Sequence, residues 1–182
     1  MFKKYRTKIV LLCLSTFSFN GCVDITTPKN DIGFKKITEI KQIQGCYMNL
    51  AETGNDSTRY LSSILFSNIK YKHTDIKFIC IKALNKESLN LTAKNSNKNI
   101  LSTKNLTKNK DFILESGRII ISNNDSYAID NVLGVSSESI IFGVDKNEDG
   151  KLIKKGGGVI VFPIPFAVYY NYSYRFKKSK IK

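Results

Sequence analysis

HTDIKFICIKALNKESLNLTAK, residues 73–94, is the stretch whose pattern decides the fold. Ile76, Phe78 and Cys80 alternate with Lys77, Ile79 and Ile81. Successive side chains of a strand point to opposite faces, so this segment predicts a strand that is apolar on nearly both sides and central in its sheet. Asn85-Lys86-Glu87 supplies a polar turn. Beyond it Leu89, Leu91 and Ala93 alternate with Asn90, Thr92 and Lys94, the pattern of a half-buried return strand.

The same period continues toward the C-terminus. Asn95 to Lys110 is rich in Lys, Asn, Ser and Thr and is broken only by Ile100, Leu101 and Leu106, which predicts a long exposed loop with a short strand near Ile100. Phe112 to Leu114 and Arg118 to Ile121 flank Glu115-Ser116-Gly117, a tight hairpin whose Gly117 can take positive φ. Val132 to Val135 and Ile140 to Val144 predict two short strands separated by Ser136, Ser137 and Glu138. Leu152-Ile153 and Val159 to Phe162 flank Gly156-Gly157-Gly158, where a bend or bulge is expected, and Phe166 to Phe176 completes the sheet. About eight to ten closely spaced short strands predict an all-β domain, a mostly antiparallel small barrel or sandwich.

Toward the N-terminus, Gly45 to Leu50 predicts the first strand. Tyr60, Leu61, Ile64 and Leu65 then fall on one helical stripe that Ser57 or Thr58 can cap, predicting one short helix over one end of the sheet. Phe34, Ile37, Ile40 and Ile43 recur at every third residue, which suits a short helical turn. Otherwise Val23 to Ile40 has no sustained period and predicts a flexible tether, spanning on the order of 20–25 Å.

The first 22 residues have a separate pattern. Lys3, Lys4, Arg6 and Lys8 precede an apolar run from Ile9 to Phe19, and Asn20-Gly21-Cys22 follow. A run this short cannot cross a hydrocarbon core of about 30 Å, whereas a basic flank, short apolar segment and small residue mark a removable leader. An uncleaved anchor or an ordinary buried element is the plain alternative. The segment resembles the signal peptide of bacterial lipoproteins: Gly21 and Cys22 match its most demanding positions, while Phe19 and Asn20 depart from the usual leucine and small residue. The resemblance covers only these positions. It implies cleavage before Cys22 and acylation of that cysteine, so that membrane lipid is the partner of the mature terminus. Val23, where Asp would resemble an inner-membrane retention signal, implies the outer membrane and its periplasmic face. The expected division is a leader over 1–21, a lipidated terminus and tether over 22–40, and a single β-rich domain over 41–182.

Of the net charge of +14, four positive charges leave with the leader, so the mature chain carries +10. A basic surface suits nucleic acid, an acidic partner or an anionic membrane. For a tethered envelope protein an acidic envelope protein partner and the membrane rank ahead, and nucleic acid is not expected. The abundance of Lys, Asn and Ile also allows the charge to mean solubility alone. With Cys13 in the apolar run and Cys22 acylated, Cys46 and Cys80 remain. In an oxidising compartment they suit one disulfide, closing a loop of about 35 residues and stabilising by roughly 3 kcal/mol; two buried free thiols are the alternative.

Few residues point to chemistry. Asp145-x-Asn147-x-Asp149-Gly150 matches the first half of a calcium loop, but Gly156 stands where the bidentate Glu belongs. A hairpin turn accounts for the same residues. Neither metal nor cofactor is expected, nor an enzyme: the lone His73 lies in a polar segment, which predicts a solvated side chain. The closing strand sets Tyr170, Tyr172, Tyr174 and Phe176 on one side, an aromatic ladder suited to core, ligand or partner contact. Phe162-Pro163-Ile164-Pro165-Phe166 before it suits a crossover or a contact site. Two functions are expected: a periplasm-facing interaction or structural module, or a lipocalin-like carrier of a small apolar ligand.

Overall fold

Alternation of apolar and polar residues over 78–94 produces the centre of one of two sheets. The computed structural model describes residues 21–27, 31–52, 59–66, 69–129, 132–162 and 166–181. The leader up to Asn20, the capping residues Ser57 and Thr58, and Pro163 to Pro165 lie outside these.

The strands are β1 (Gly21–Thr26), β2 (Gly45–Met48), β3 (Phe78–Ala83), β4 (Ser88–Lys94), β5 (Ile100–Thr107), β6 (Ile113–Glu115), β7 (Arg118–Ile129), β8 (Val132–Val144), β9 (Gly150–Phe162), β10 (Phe166–Phe176) and β11 (Lys178–Ser179). The one α-helix among the described residues, α1, spans Leu61–Leu65. A six-stranded sheet has the order β1-β10-β9-β8-β7-β6 and a five-stranded sheet the order β11-β2-β3-β4-β5. All pairs are antiparallel except β1 with β10. The sheets form an all-β sandwich and do not close into a barrel among the described residues. β3 takes the middle place in its sheet, as its two-sided apolar pattern requires. No helix among the described residues is long and apolar enough to cross a membrane.

The core forms where the short sheet faces the long one. Tyr47, Ile79, Leu89 and Leu91 come from the short sheet; Phe142, Leu152, Tyr174 and Phe176 come from the long one, all buried. Tyr47 meets Phe142 edge to face at 5.7 Å between centroids and donates its hydroxyl to Ile43 O at 2.7 Å. Burial, with the nearby carboxylates of Glu148 and Asp149 adding to it, pushes the Tyr47 phenol up from its ordinary value. On the other side of the short sheet, Cys46 of β2 and Cys80 of β3 are register partners joined by a disulfide.

Three expectations about the strands and the tether differ from the structure. The polar span 95–110 contains the eight-residue strand β5, at a sheet edge with only Leu106 buried. An edge strand exposed on most of its surface carries polar residues and lysines, so the apolar alternation that marks a strand is missing. Ser136 to Glu138 and Gly156 to Gly158 do not interrupt strands either. They are register partners within the continuous β8 and β9, Ser136 opposite Gly158 and Glu138 opposite Gly156. Cross-strand hydrogen bonding does not require side chains, and small residues on both strands keep the pairing intact.

The third difference concerns the tether. β1 pairs with β10, and residues 31–38 then cross the outer face of the long sheet as a strap. Lys151, buried, pairs with Asp31 and donates to Ile32 O at 2.9 Å. Phe34 lies over Gly143, with the Arg118 guanidinium 4.7 Å and the Lys151 ammonium 5.5 Å from its ring centroid. Ile37 is buried against the β6–β7 turn, where Gly117 has φ +74 and a Cβ would meet Ile37 O at 2.4 Å. The three-residue period ends in a 3-10 turn, Ile40–Ile43, that buries Ile40 and Ile43.

The β8–β9 turn ties these parts together. Asp145 Oδ1 accepts from Asn147 N at 2.8 Å and Asp149 N at 3.0 Å, Asp149 Oδ1 accepts from Lys178 N at 2.8 Å, and Glu148 pairs with Lys35 and Lys178. The hydrogen bond from Lys35, with the charges of Lys35 and Lys178, holds the Glu148 carboxyl below its ordinary 4.5. The stability this adds is present above about pH 4.5 and is lost as pH falls through the lower folded value. Glu148→Gln should therefore flatten the acid limb of a melting-temperature profile, melting slightly below wild type at neutral pH, by a small amount because the pair is exposed, and converging with it in acid.

Beneath α1, Asn49 is almost fully buried. Its Oδ1 accepts from Ser62 N at 2.7 Å, and its Nδ2 donates to His73 O at 2.8 Å and Ile76 O at 3.0 Å. His73 is half-buried, its Nδ1 2.9 Å from the hydroxyl of the buried Ser62, and so is not simply solvated. Asn49→Ala removes the partner of Ser62 N and Ile76 O, while His73 O keeps its bond from Ile76 N, and a urea titration should show a loss of about 3 kcal/mol.

Candidate functional site

The two sheets differ in length. β8 and β9 have 13 residues each and β10 has 11, whereas β2, β3 and β4 have four, six and seven. At about 3.3 Å per residue the long sheet projects roughly 20 Å beyond the short one. Among the described residues its far end therefore has no second layer.

The predicted aromatic ladder runs along this change. Phe176 and Tyr174 are fully buried against the short sheet, and Tyr172 and Tyr170 follow half-buried. Centroid separations are 6.3 Å for Phe176–Tyr174, 6.3 Å for Tyr174–Tyr172 and 5.4 Å for the stacked Tyr172–Tyr170. The inner half of the ladder is thus core. Its outer half ends in a polar rung: Tyr170 donates its hydroxyl to Glu138 Oε2 at 2.7 Å, and Lys154 Nζ lies 2.9 Å from the same oxygen. Burial first, then the bond to Glu138, pushes the Tyr170 phenol up from its ordinary value, so it stays a donor. Gly156 lies under this ring.

Beyond that rung the sheet turns apolar and exposed on both faces. Phe166 and Val168 continue the ladder's face, 39% and 38% exposed. The opposite face carries Val135, Val159 and Tyr169, joined by Val23 of β1, all between 44% and 65% exposed, with the exposed Ile25 further in, opposite Asn171. In strand register the backbone of Cys22 pairs with Val168, at the level of this patch. Cys22, the predicted lipidation residue, thus lies in a strand of the folded domain and not in a free tether.

Elsewhere, Cys46 and Cys80 are joined as described. Asp145, Asn147 and Asp149 serve a hairpin turn; Asp145 Oδ2 is buried without a hydrogen-bond partner, and no cluster of three metal-ligating acidic, His or Cys groups forms among the described residues. A groove of about 590 Å³ between the 3-10 turn and the β3–β4 turn is lined by Ile40, Leu84, Lys41, Lys86 and Lys108 among others. A smaller cleft of about 270 Å³ holds Phe34, Lys35, Lys36 and Arg118. Sequence inspection missed the Glu138–Tyr170–Lys154 rung, because its members are 16 residues apart along the chain. The available signal was that Glu138 and Gly156 interrupt apolar strands at matching places.

A Cβ on Gly156 would lie 2.6 Å from the Tyr170 hydroxyl and 2.7 Å from Ser137 O, whereas one on Gly33 meets nothing within 4 Å. Gly156→Ala should destabilise by about 2 kcal/mol in chemical denaturation, and Gly33→Ala should stay within about 0.5 kcal/mol of wild type. No protein-family model matches the chain, and no curated protein or solved structure matches it either.

Proposed function

We propose that the chain is a bacterial lipoprotein, cleaved before Cys22 and acylated there, which holds a β sandwich at the periplasmic face of the outer membrane as an interaction or structural module. The observation that carries this is the Cys46–Cys80 disulfide between neighbouring strands. Such bonds persist in oxidising compartments and are rare in the cytosol, which supports export by the leader-like segment. The unpaired apolar end of the long sheet supports contact with something outside the domain. No catalytic residue, cofactor or nucleic acid enters this reading.

The carrier alternative needs an internal cavity of roughly several hundred Å³. Tyr47, Phe142, Leu152, Tyr174 and Phe176 occupy the space between the sheets, which favours the interaction module. The net charge of +10 without the leader suits anionic lipid or an acidic envelope protein.

Labelled palmitate should enter the wild-type protein in cells and should not enter Cys22→Ser, which should also leave the membrane fraction in high salt. Equal labelling of both proteins, or of neither, would remove the anchor.

A further inference from the structure

The end of the long sheet is exposed on both faces at the same height. Phe166 and Val168 lie on one face; Val135, Val159 and Tyr169 lie on the other, and β1 adds Val23. A protein partner or a second copy laid against a sheet covers one face and leaves the other in water. A medium with a planar boundary covers both faces to the same depth.

The chain also fixes where that boundary meets the sheet. The apolar run Ile9 to Phe19 ends two residues before Gly21, which pairs with Ala167, and Cys22 pairs with Val168. Either the retained run or an acyl chain on Cys22 would join the fold at the rungs of the patch. One turn of β pleat lower, the polar rung of Glu138, Lys154 and Tyr170 begins, and Lys155 lies exposed on the opposite face.

We infer that this end of the long sheet stands edge-on in the headgroup region of an anionic bilayer, both faces against lipid; the inference rests on the lipoprotein reading. The rungs of Val168 and Phe166 are about 7 Å apart, which fits the depth of roughly 5–10 Å reached by interfacial elements. The edge of β1 limits insertion, since unpaired backbone groups are not tolerated in hydrocarbon. Tyr169 has the apolar body and polar tip suited to the interface, and the lysines of the next rungs sit level with lipid phosphates. The domain is thereby held upright on the membrane with its disulfide-linked sheet outward.

The chain contains no tryptophan, so a single one reports its own surroundings. Full-length protein carrying Tyr169→Trp or Phe166→Trp, one for each face, would be placed in phosphatidylethanolamine–phosphatidylglycerol vesicles with acyl chains brominated near the headgroup. Leu84→Trp, in the β3–β4 turn and 52% exposed in the parent, is the control. Val168→Trp replaces Phe166→Trp should that variant not fold. Quenching by roughly half or more is expected on both faces, with little at position 84. Quenching on one face only, on neither, or equally at position 84 overturns the inference. Burial of both probes without vesicles, with a dimer in sedimentation, overturns it in favour of a second copy. Palmitate labelling of the same preparations separates the two readings. Label without quenching removes the bilayer contact and leaves the anchor standing; quenching without label removes the anchor and leaves the contact.

Discussion

The pairing of β8, β9 and β10 over their whole length is the constraint on which the rest depends. Eleven consecutive register partners join β9 to β10, from Phe176 opposite Gly150 to Phe166 opposite Ile160. Among the described residues only the inner part of this ribbon finds a second layer, because the facing strands are about half as long. Burial of apolar surface fixes the inner part. Hydrogen bonding along the ladder carries the remainder outward, past the point where packing against the short sheet can hold it. The Glu138–Tyr170–Lys154 rung marks that point, and the small residues of β8 and β9 let the strands continue through it.

The other end of the sandwich is held by a different set of contacts. A strap through Asp31, Phe34 and Ile37 crosses the outer face, and the acidic β8–β9 turn receives amides and amines from the strap and from β11. Lys151 is buried because Asp31, Ile32 O and the Phe34 ring replace the water it loses. The strap and the C-terminal strand β11 are therefore fastened near one turn. Of the turn residues that suggest a calcium loop, Asp145 Oδ1 and Asp149 Oδ1 accept from backbone amides of the protein itself.

Much of the sandwich was legible from period alone. β3, β4 and β10 declare themselves because one or both of their faces are buried over part of their length, so apolar residues recur at every second position, whereas β7 was legible only from Arg118 to Ile121. β5 does not, since an edge strand buries almost nothing and reads like a loop. The middles of β8 and β9 are silent for a related reason: Ser136–Glu138 and Gly156–Gly158 stabilise by pairing with each other, a relation that neither segment shows by itself. The aromatic ladder was legible as a ladder. Which of its members are core followed from where the short sheet ends.

The sequence by itself determined the β class, the central strand, the short helix and the alternation of the closing aromatic strand, because these depend on local period and propensity. Tertiary structure alone decided that Cys46 and Cys80 stand side by side, that residues 31–38 form a strap, and that the long sheet projects beyond its partner with apolar residues exposed on both faces. Those features depend on the relative lengths and registers of strands far apart in the chain, and non-local pairing is a property that no single stretch of residues encodes.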